Sequence, residues 1–195
     1  MNTEPIQNAR SNQRSLVAAV MKTPVGDLVV VVDSSMDGAL VRLDFAHPDD
    51  TLGSGNWRGL AVDWNGASGA AHVVSQVDEY FAGTRRSFDL VLAQPYGGAF
   101  DREVWRALPQ LAPFGTTITY GEIATRLGRP GAARAVGRAN ATNPISLVVP
   151  CHRVVGAGGR LVGYGGGEGV STKRALINHE AINGSAEGFA LETQQ

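Results

Sequence analysis

Apolar residues follow two patterns in the first half of the chain. Residues 28–32 and 40–45 are β-branched, apolar runs, and the sequence Asp-Ser-Ser-Met-Asp-Gly between them is typical of a hairpin turn. They predict an antiparallel β-hairpin. Residues 70–81 place apolar side chains at helical spacing and are followed by Gly83, which predicts a helix that packs on the hairpin. Residues 88–92 predict a further short strand.

The segments between these elements set the expected domain limits. Residues 1–20 are polar and aperiodic, which predicts a flexible tail, and residues 46–69 predict an irregular loop. The sequence Gln-Pro-Tyr-Gly-Gly breaks the pattern near residue 97. We therefore expect an N-terminal α/β domain over 21–97, a second domain over 98–185 and a tail over 186–195.

Helical patterns dominate the second half. Residues 100–111 have apolar side chains at helical spacing and precede Pro-Phe-Gly. A short helix over 121–127 ends at Gly128, and a second helix over 132–139 follows Pro130. Two short helices joined by a tight turn predict a helix-turn-helix.

Composition narrows the functional classes. No apolar stretch reaches the length of a membrane span, and the N-terminus does not resemble a secretory signal, so we expect a cytoplasmic protein. The single cysteine excludes an internal disulfide and a multi-thiolate zinc site. Residues 1–97 carry 7 basic and 11 acidic side chains, whereas residues 98–195 carry 10 and 7. This asymmetry favours a polyanionic partner for the second half.

The predicted helix over 132–139 has two arginines on one face and small residues elsewhere. Arg134 and Arg138 are four residues apart and therefore project together. Such a slim helix fits a groove, although a small buried helix with two solvated arginines explains the same pattern. The small residues are Ala132, Ala133, Ala135, Gly137 and Ala139.

A candidate nucleophile follows a third apolar run. Residues 145–149 predict a buried strand that ends at Pro150 and is followed by Cys151, His152 and Arg153. A thiol reacts as its thiolate and needs a nearby base or positive charge at neutral pH. Neighbouring residues of a strand face opposite ways, so we expect a turn or a bridging water between Cys151 and His152. The alternative is a buried, inert thiol.

The segment after the cysteine is rich in glycine and contains Tyr164. It matches neither a phosphate loop nor a dinucleotide fingerprint, so we expect no nucleotide cofactor. A last helix over 172–179 ends at His179 and Glu180, and Glu180 could orient a histidine.

Together these residues resemble the O6-alkylguanine-DNA alkyltransferases, also called methylated-DNA-protein-cysteine methyltransferases. The resemblance covers residues 21–180, and its most specific motif is Pro-Cys-His-Arg at 150–153 followed by two valines. Further matches in the same order are FDREVW at 100–105, TYGEIA at 119–124, AARAVG at 132–137, Asn143-Pro144, Tyr164 before glycines, and Asn178-His179-Glu180.

The resemblance implies an α+β fold. A small N-terminal α/β domain with an antiparallel, ribonuclease H-like sheet would precede a helical, winged-helix-like domain with a helix-turn-helix. The protein would act as a monomer, without cofactor or metal, on double-stranded DNA approached from the minor groove. It would flip the alkylated guanine out of the duplex, because the target atom is otherwise inaccessible. The alkyl group of O6-alkylguanine would pass irreversibly to the cysteine, once per molecule; whether O4-alkylthymine also reacts stays open.

The resemblance also assigns roles around the thiol. Cys151 would be the acceptor, and a water, His152 and Glu180 would generate the thiolate. Asn143 would hold the cysteine loop. Tyr120 would press on the DNA phosphate and donate a proton to the leaving guanine.

Other roles concern DNA and the substrate pocket. Arg134 would enter the base stack in place of the flipped base. Tyr164 and the amide of Gly165 would line the pocket, although other members carry serine at the glycine position. The remaining assignments are DNA contacts by Ala132, Ala133, Gly137 and Arg138 and pocket walls at Val154 and Pro150.

Three other functions share part of this pattern. A cysteine hydrolase would use Cys151, His152 and Glu180 with repeated turnover on an acyl substrate. A non-catalytic damage sensor resembles this family but has another residue in place of the cysteine. A plain helix-turn-helix module would leave Asn143 and Tyr164 unexplained.

Overall fold

The computed structural model describes residues 15–47, 50, 52–53, 56–57, 60–64, 67–93 and 97–184. Residues 1–14 of the tail expected over 1–20 and the whole tail expected over 186–195 lie outside these residues, as do parts of the expected loop and of the expected domain junction. The described part is a mixed α+β fold with an N-terminal three-stranded antiparallel sheet and a helical C-terminal region.

Two consecutive hairpins form the sheet, in the order β1 (Leu16–Met21), β2 (Leu28–Asp33) and β3 (Ala39–Phe45). The predicted hairpin of β2 and β3 is confirmed. The expected tail is wrong for residues 16–20, because they pair with β2 along its whole length. Residues 16–19 are buried, so this strand gains both backbone hydrogen bonds and apolar contacts.

Burial on both faces explains the apolar composition of the sheet. Every residue of β2 is buried. Alternate side chains of the strands pack on one face against α1 (Ala71–Phe81), a helix that the sequence predicted, through Val73, Val77 and Tyr80. The opposite face of the sheet packs under a smaller cluster that includes Val62 and Ala93.

The segments around the sheet are less regular. The expected loop over 46–69 contains, where described, the two-residue strands β4 (Asn56–Trp57) and β5 (Leu60–Ala61). The strand expected over 88–92 is wrong: only Leu92 forms an isolated bridge, with Leu40 of β3. The Gln76 side chain bonds the backbone N–H and carbonyl of Asp89 at 2.8 and 2.7 Å, and so takes the place of a partner strand there.

Four α-helices follow in the described residues. They are α2 (Ala99–Leu111), α3 (Tyr120–Arg126), α4 (Ala133–Ala141) and α5 (Val170–Gly184). The sequence predicted the first three within two residues at each end, whereas the fourth extends beyond the predicted 172–179 at both ends, by five residues at its C-terminus. Thr119 and Glu122 form a capping box at the start of α3. Gly128 and Gly131 adopt positive φ angles in the tight turn between α3 and α4. In the described ranges, no helix has the length and apolar character required to cross a bilayer.

Contacts between the two halves position the segment that contains the cysteine. The short strand β7 (Val154–Val155) directly follows that segment and pairs in parallel with β6 (Ile118–Thr119). On its other side, Leu43 of β3 bridges to Ile145. Buried apolar residues of both halves belong to one continuous cluster. The cysteine segment is therefore held between the sheet and the helical region.

Candidate active site

Cys151 lies in a turn. The strand expected over 145–149 is wrong; the chain turns there instead, Leu147 has a φ of 67°, and residues 151–153 form a short 3-10 helix. The Asn143 amide organises this turn, because its nitrogen donates to the Val149 carbonyl at 2.8 Å and its oxygen accepts from the N–H of Ile145 at 3.0 Å. The same nitrogen lies 3.2 Å from Sγ of Cys151. The turn expected near the cysteine is thus present.

Glu180 of α5 connects five donors within the core. Its Oε1 accepts hydrogen bonds from Nε2 of His152 at 2.7 Å, from the Tyr80 hydroxyl at 2.8 Å and from Nη2 of Arg153 at 3.0 Å. Its Oε2 accepts from Nε of Arg153 at 2.8 Å and from the N–H of Gly115 at 3.2 Å. The expectation that Glu180 orients a histidine therefore agrees with the geometry.

The charge state of Glu180 decides the tautomer of His152. Burial favours the neutral acid, but the hydrogen bonds and charges of His152 and Arg153 outweigh it and hold the pKa of Glu180 at about 2. Burial lowers the pKa of His152, although Glu180 opposes this, so the imidazole is neutral near pH 7. Because an ionised carboxylate only accepts, Nε2 of His152 carries the hydrogen. Nδ1 is left as a proton acceptor; it is buried and has no protein partner among the described residues.

The thiol is buried beside a lysine. Burial raises the pKa of Cys151, while the Asn143 amide and the positive charge of Lys173 act in the opposite direction. The cysteine is only 6% exposed. The free protein therefore holds a neutral thiol whose conversion to a thiolate depends on the groups around it.

Lys173 is a site residue that the sequence analysis missed. It lies on α5, is fully buried, and its ammonium donates to the carbonyls of Val162 and Gly163 at 3.0 and 3.3 Å. The nitrogen is also 5.8 Å from the centre of the Tyr120 ring. Lys173 thus links the glycine-rich segment, Tyr120 and the thiol. A lone lysine in a helix with no other unusual feature offers no sequence signal for this role.

Cys151 opens on a cavity of about 260 Å³, which we call the tyrosine cavity. Burial, followed by the nearby Cys151, raises the pKa of both Tyr120 and Tyr164, so both phenols keep their protons near pH 7. The residues that line it are Tyr120, Gly137, Asn140, Ala141, Cys151, Gly163, Tyr164 and Gly165. The structure therefore brings together five residues that the sequence predicted for the site, Cys151, Tyr120, Tyr164, Gly137 and Gly165, and adds Asn140, Ala141 and Gly163.

Two other expected pocket residues lie elsewhere. Val154 is fully buried in β7, and Pro150 is buried directly before the 3-10 turn. Neither is among the described residues that line the tyrosine cavity. Pro150 and Val154 directly flank the 3-10 turn of residues 151–153, so they support this turn and do not form a wall of the cavity.

The second helix of the helix-turn-helix, α4, borders the same cavity. Arg134 is exposed, and Gly137 faces the Tyr120 ring, which a Cβ at this position would approach to 3.8 Å. Ala132 and Ala133 are half-buried at its start. Arg138, the last of the residues expected to contact DNA, has a side chain that is 68% exposed and forms an ion pair with Asp101 at 3.4 Å. A slim, positively charged helix thus lies beside the cavity mouth.

The described residues hold no group of three His, Cys, Asp or Glu side chains that could bind a metal ion. The side chains at the site offer a thiol, a neutral imidazole with an acceptor nitrogen, two phenols and an ammonium.

Comparison with known proteins gives consistent matches. Residues 99–182 match the family model described as the DNA binding domain of 6-O-methylguanine DNA methyltransferase. A methylated-DNA-protein-cysteine methyltransferase of Mycobacterium leprae is 44% identical over 161 residues, which cover 82% of this chain and 89% of the relative.

Solved structures agree with these sequence matches. The O6-methylguanine methyltransferase of Mycobacterium tuberculosis superimposes with a TM-score of 0.70 at 38% identity, over 86% of this chain and 94% of that one. The Mycobacterium tuberculosis OGT in complex with DNA superimposes with a TM-score of 0.69 at 40% identity, over 84% and 92%.

Proposed function

The chain belongs to the methylated-DNA-protein-cysteine methyltransferase family, and on that premise we propose that Cys151 is the residue that accepts the alkyl group. The protein is an O6-methylguanine DNA methyltransferase that acts in DNA repair, and it binds DNA. One observation carries the assignment to Cys151. The single cysteine of the chain lines the tyrosine cavity and lies next to the buried His152, which Glu180 holds in place.

The reaction is a displacement at the carbon bound to O6 of guanine. Sγ of Cys151, as a thiolate, attacks this carbon in line with the C–O6 bond; a C–S bond forms, and the C–O6 bond breaks with its electron pair on oxygen. Tyr120, whose raised pKa keeps its proton, supplies a proton to the leaving guanine. The product is a thioether without a carbonyl for water to attack, so each molecule reacts once.

His152 acts as the base that generates the thiolate. Its Nδ1 accepts the thiol proton through a bridging water, while Nε2 remains bonded to Glu180 at 2.7 Å. A buried Nδ1 without a protein partner in the described ranges supports this route, because buried polar atoms normally have a partner or an ordered water. The positive charge of Lys173 favours the thiolate once it forms.

The helix-turn-helix provides the DNA contact. We assign α4 to the minor groove, where Arg134 would fill the space left by the flipped base. The exposure of Arg134, on a helix that lines the tyrosine cavity, supports this assignment. The half-buried Ala132 and Ala133 and the adjacent Gly137 let the helix approach the backbone closely. The protein would bind as a monomer, and phosphate contacts would make its affinity fall with salt.

The finer architecture is part of the same proposal. The N-terminal unit, expected over 21–97, would have a ribonuclease H-like sheet. Because β1 belongs to this sheet, the unit would begin at residue 16. The unit over 98–185 would be winged-helix-like, and the parallel pair of β6 and β7 beside α3 and α4 supports this assignment.

Two substitutions test the roles separately. Cys151→Ser should abolish alkyl transfer to a duplex with one O6-methylguanine while retaining binding to it. Arg134→Ala should weaken binding and reduce the fluorescence change of a base analogue placed at the flipped position. The control is Arg174→Ala, which removes an exposed positive charge from α5, outside the helix-turn-helix. Transfer by the serine variant at the wild-type rate, or equal losses in both arginine variants, would refute the respective assignment.

A further inference from the structure

A second cavity meets the tyrosine cavity at Cys151. It has a volume of about 210 Å³ and lies toward the sheet, with two charged residues of β3 in its wall. We call it the side cavity. It shares Cys151, Tyr164, Gly165, Asn140 and Ala141 with the tyrosine cavity, and its other lining residues are Arg42, Asp44, Thr142, Asn143, Ser146 and Gly166.

Two adjacent glycines, Gly165 and Gly166, line the side cavity next to Cys151, and Gly165 also lines the tyrosine cavity. A Cβ at position 165 would lie 4.0 Å from the carbonyl oxygen of Ala141, so any larger side chain there would extend toward the opposite wall. At position 166 a Cβ would lie 2.5 Å from the Phe45 ring and 2.8 Å from the Tyr164 ring. The glycine at 166 thus allows the segment to rest on β3, and the glycine at 165 adds no side chain to the wall that the two cavities share.

The proposed reaction requires space beside Sγ. In an in-line displacement the thiolate and O6 lie on opposite sides of the reacting carbon, so the rest of a longer substituent projects sideways from that axis. After transfer the substituent stays on a cysteine that is only 6% exposed. If guanine fills the tyrosine cavity, the side cavity is the adjoining space next to Cys151 that can take it.

The wall of the side cavity is polar. Nη2 of Arg42 and Oδ2 of Asp44 form an ion pair at 3.3 Å, and the two side chains keep only 27% and 15% exposure. The polar residues Asn140, Ser146 and Thr142 also line the space, although the Thr142 hydroxyl donates to the carbonyls of Arg138 and Ala139 at 3.2 Å. An apolar chain here would displace water from charged groups without replacing its hydrogen bonds, whereas a hydroxyl group would replace them.

We infer, resting on the proposed function, that the side cavity receives the part of an O6 substituent beyond the reacting carbon and favours short hydroxyalkyl groups. O6-(2-hydroxyethyl)guanine should therefore react faster than O6-propylguanine, whose side chain has nearly the same size. A polar contact of this kind corresponds to about a fivefold ratio of rate constants, equivalent to one net hydrogen bond.

The experiment compares single-turnover rate constants for duplexes that carry O6-methylguanine, O6-(2-hydroxyethyl)guanine or O6-propylguanine. Wild type should show a hydroxyethyl-to-propyl ratio of about five. The double variant Arg42→Leu with Asp44→Leu should bring the ratio close to one. Both substrates react with the same thiolate, so the ratio cancels any change in the pKa of Cys151. The control, Lys22→Leu with Asp27→Leu, removes an ion pair at the turn between β1 and β2 and should keep the wild-type ratio.

The outcomes separate this inference from the proposed function. No transfer from O6-methylguanine would refute the function itself. Transfer of methyl with equal hydroxyethyl and propyl rates, or a ratio of five that persists in the β3 double variant, would overturn the inference alone. If the double variant does not fold, Ser146→Ala replaces it, because this small change removes the hydroxyl of a residue that lines the side cavity; a ratio that stays at five would again contradict the inference.

Discussion

Replacing Glu180 by glutamine tests the core of the site. The carboxylate accepts five hydrogen bonds, three at Oε1 and two at Oε2. Glutamine has one oxygen, so in either orientation of its amide at least two donors face an N–H₂ group. If the oxygen stays at the Oε1 position, the donors that lose their acceptor are Nε of Arg153 and the N–H of Gly115.

The expected loss of stability follows from these contacts. Arg153 is 5% exposed, so the substitution leaves a buried guanidinium without its counter-charge. Removing one partner of a buried ion pair costs about 3–5 kcal/mol. The total free energy of unfolding of such proteins is about 5–15 kcal/mol. Glu180→Gln should therefore fold but lose a large part of its stability.

The same substitution should slow alkyl transfer. In either orientation of the glutamine amide, His152 loses the negative charge that raises its pKa and stabilises the imidazolium formed when Nδ1 accepts the thiol proton, so His152 becomes a weaker base. Loss of a general base lowers a rate about 100-fold or more. Transfer would be measured in single-turnover conditions at a temperature where urea denaturation shows the variant to be folded.

A matched control is available on the surface. Glu79→Gln breaks an Arg85–Glu79 pair of 2.7 Å whose carboxylate is 43% exposed. This change should cost less than about 1 kcal/mol and leave the transfer rate unaltered. If Glu180→Gln loses no more stability than this control, or transfers the alkyl group within about threefold of wild type, the account of the buried network is wrong.

Three further outcomes follow from the same groups. Lys173→Met should move the rise of the transfer rate to higher pH, because the positive charge that lowers the pKa of Cys151 is lost; an unchanged midpoint between pH 6 and 10 would contradict this. Tyr80→Phe should reduce the free energy of unfolding by about 1.5–3 kcal/mol, the value of a hydrogen bond to a charged group, and a loss below about 0.5 kcal/mol in urea titrations would argue against it. In the wild type, the contribution of Glu180 to the free energy of unfolding should fall by about 3 kcal/mol between pH 4.5 and 2. The sign follows because the pKa of Glu180 is lower in the folded state, so its stabilising effect is complete above the usual carboxyl pKa of 4.5 and disappears as pH falls toward 2; a flat profile in this window would contradict it.

Sequence patterns predicted the amphipathic elements well. Helices α1 and α2 each have one apolar face, with apolar residues at helical spacing. This spacing is the sequence signal by which an amphipathic helix is recognised. The hairpin of β2 and β3 was equally visible in its two β-branched, apolar runs and in the Asp- and Gly-containing turn between them. Strand β1 was missed because polar residues directly precede it and masked the run, although its own sequence, Leu-Val-Ala-Ala-Val-Met, is entirely apolar.

The geometry of the site was only partly predictable. The motif around Cys151 identified the residues, but the turn there depends on Asn143, whose side chain replaces the partners of a strand. Tyr80 reaches Glu180 across 100 positions of the chain, and Lys173 reaches the thiol only when α5 packs beside it. Such long-range contacts leave no periodic or compositional signal.

The most direct test of the central claim is the intact mass of the protein after incubation with a duplex that contains one O6-methylguanine, followed by peptide mapping. We expect a gain of one CH₂ per protein molecule, located on Cys151, with no reaction beyond one equivalent. An unchanged mass despite tight binding, a methyl group on another residue, or repair of several equivalents per molecule would contradict it.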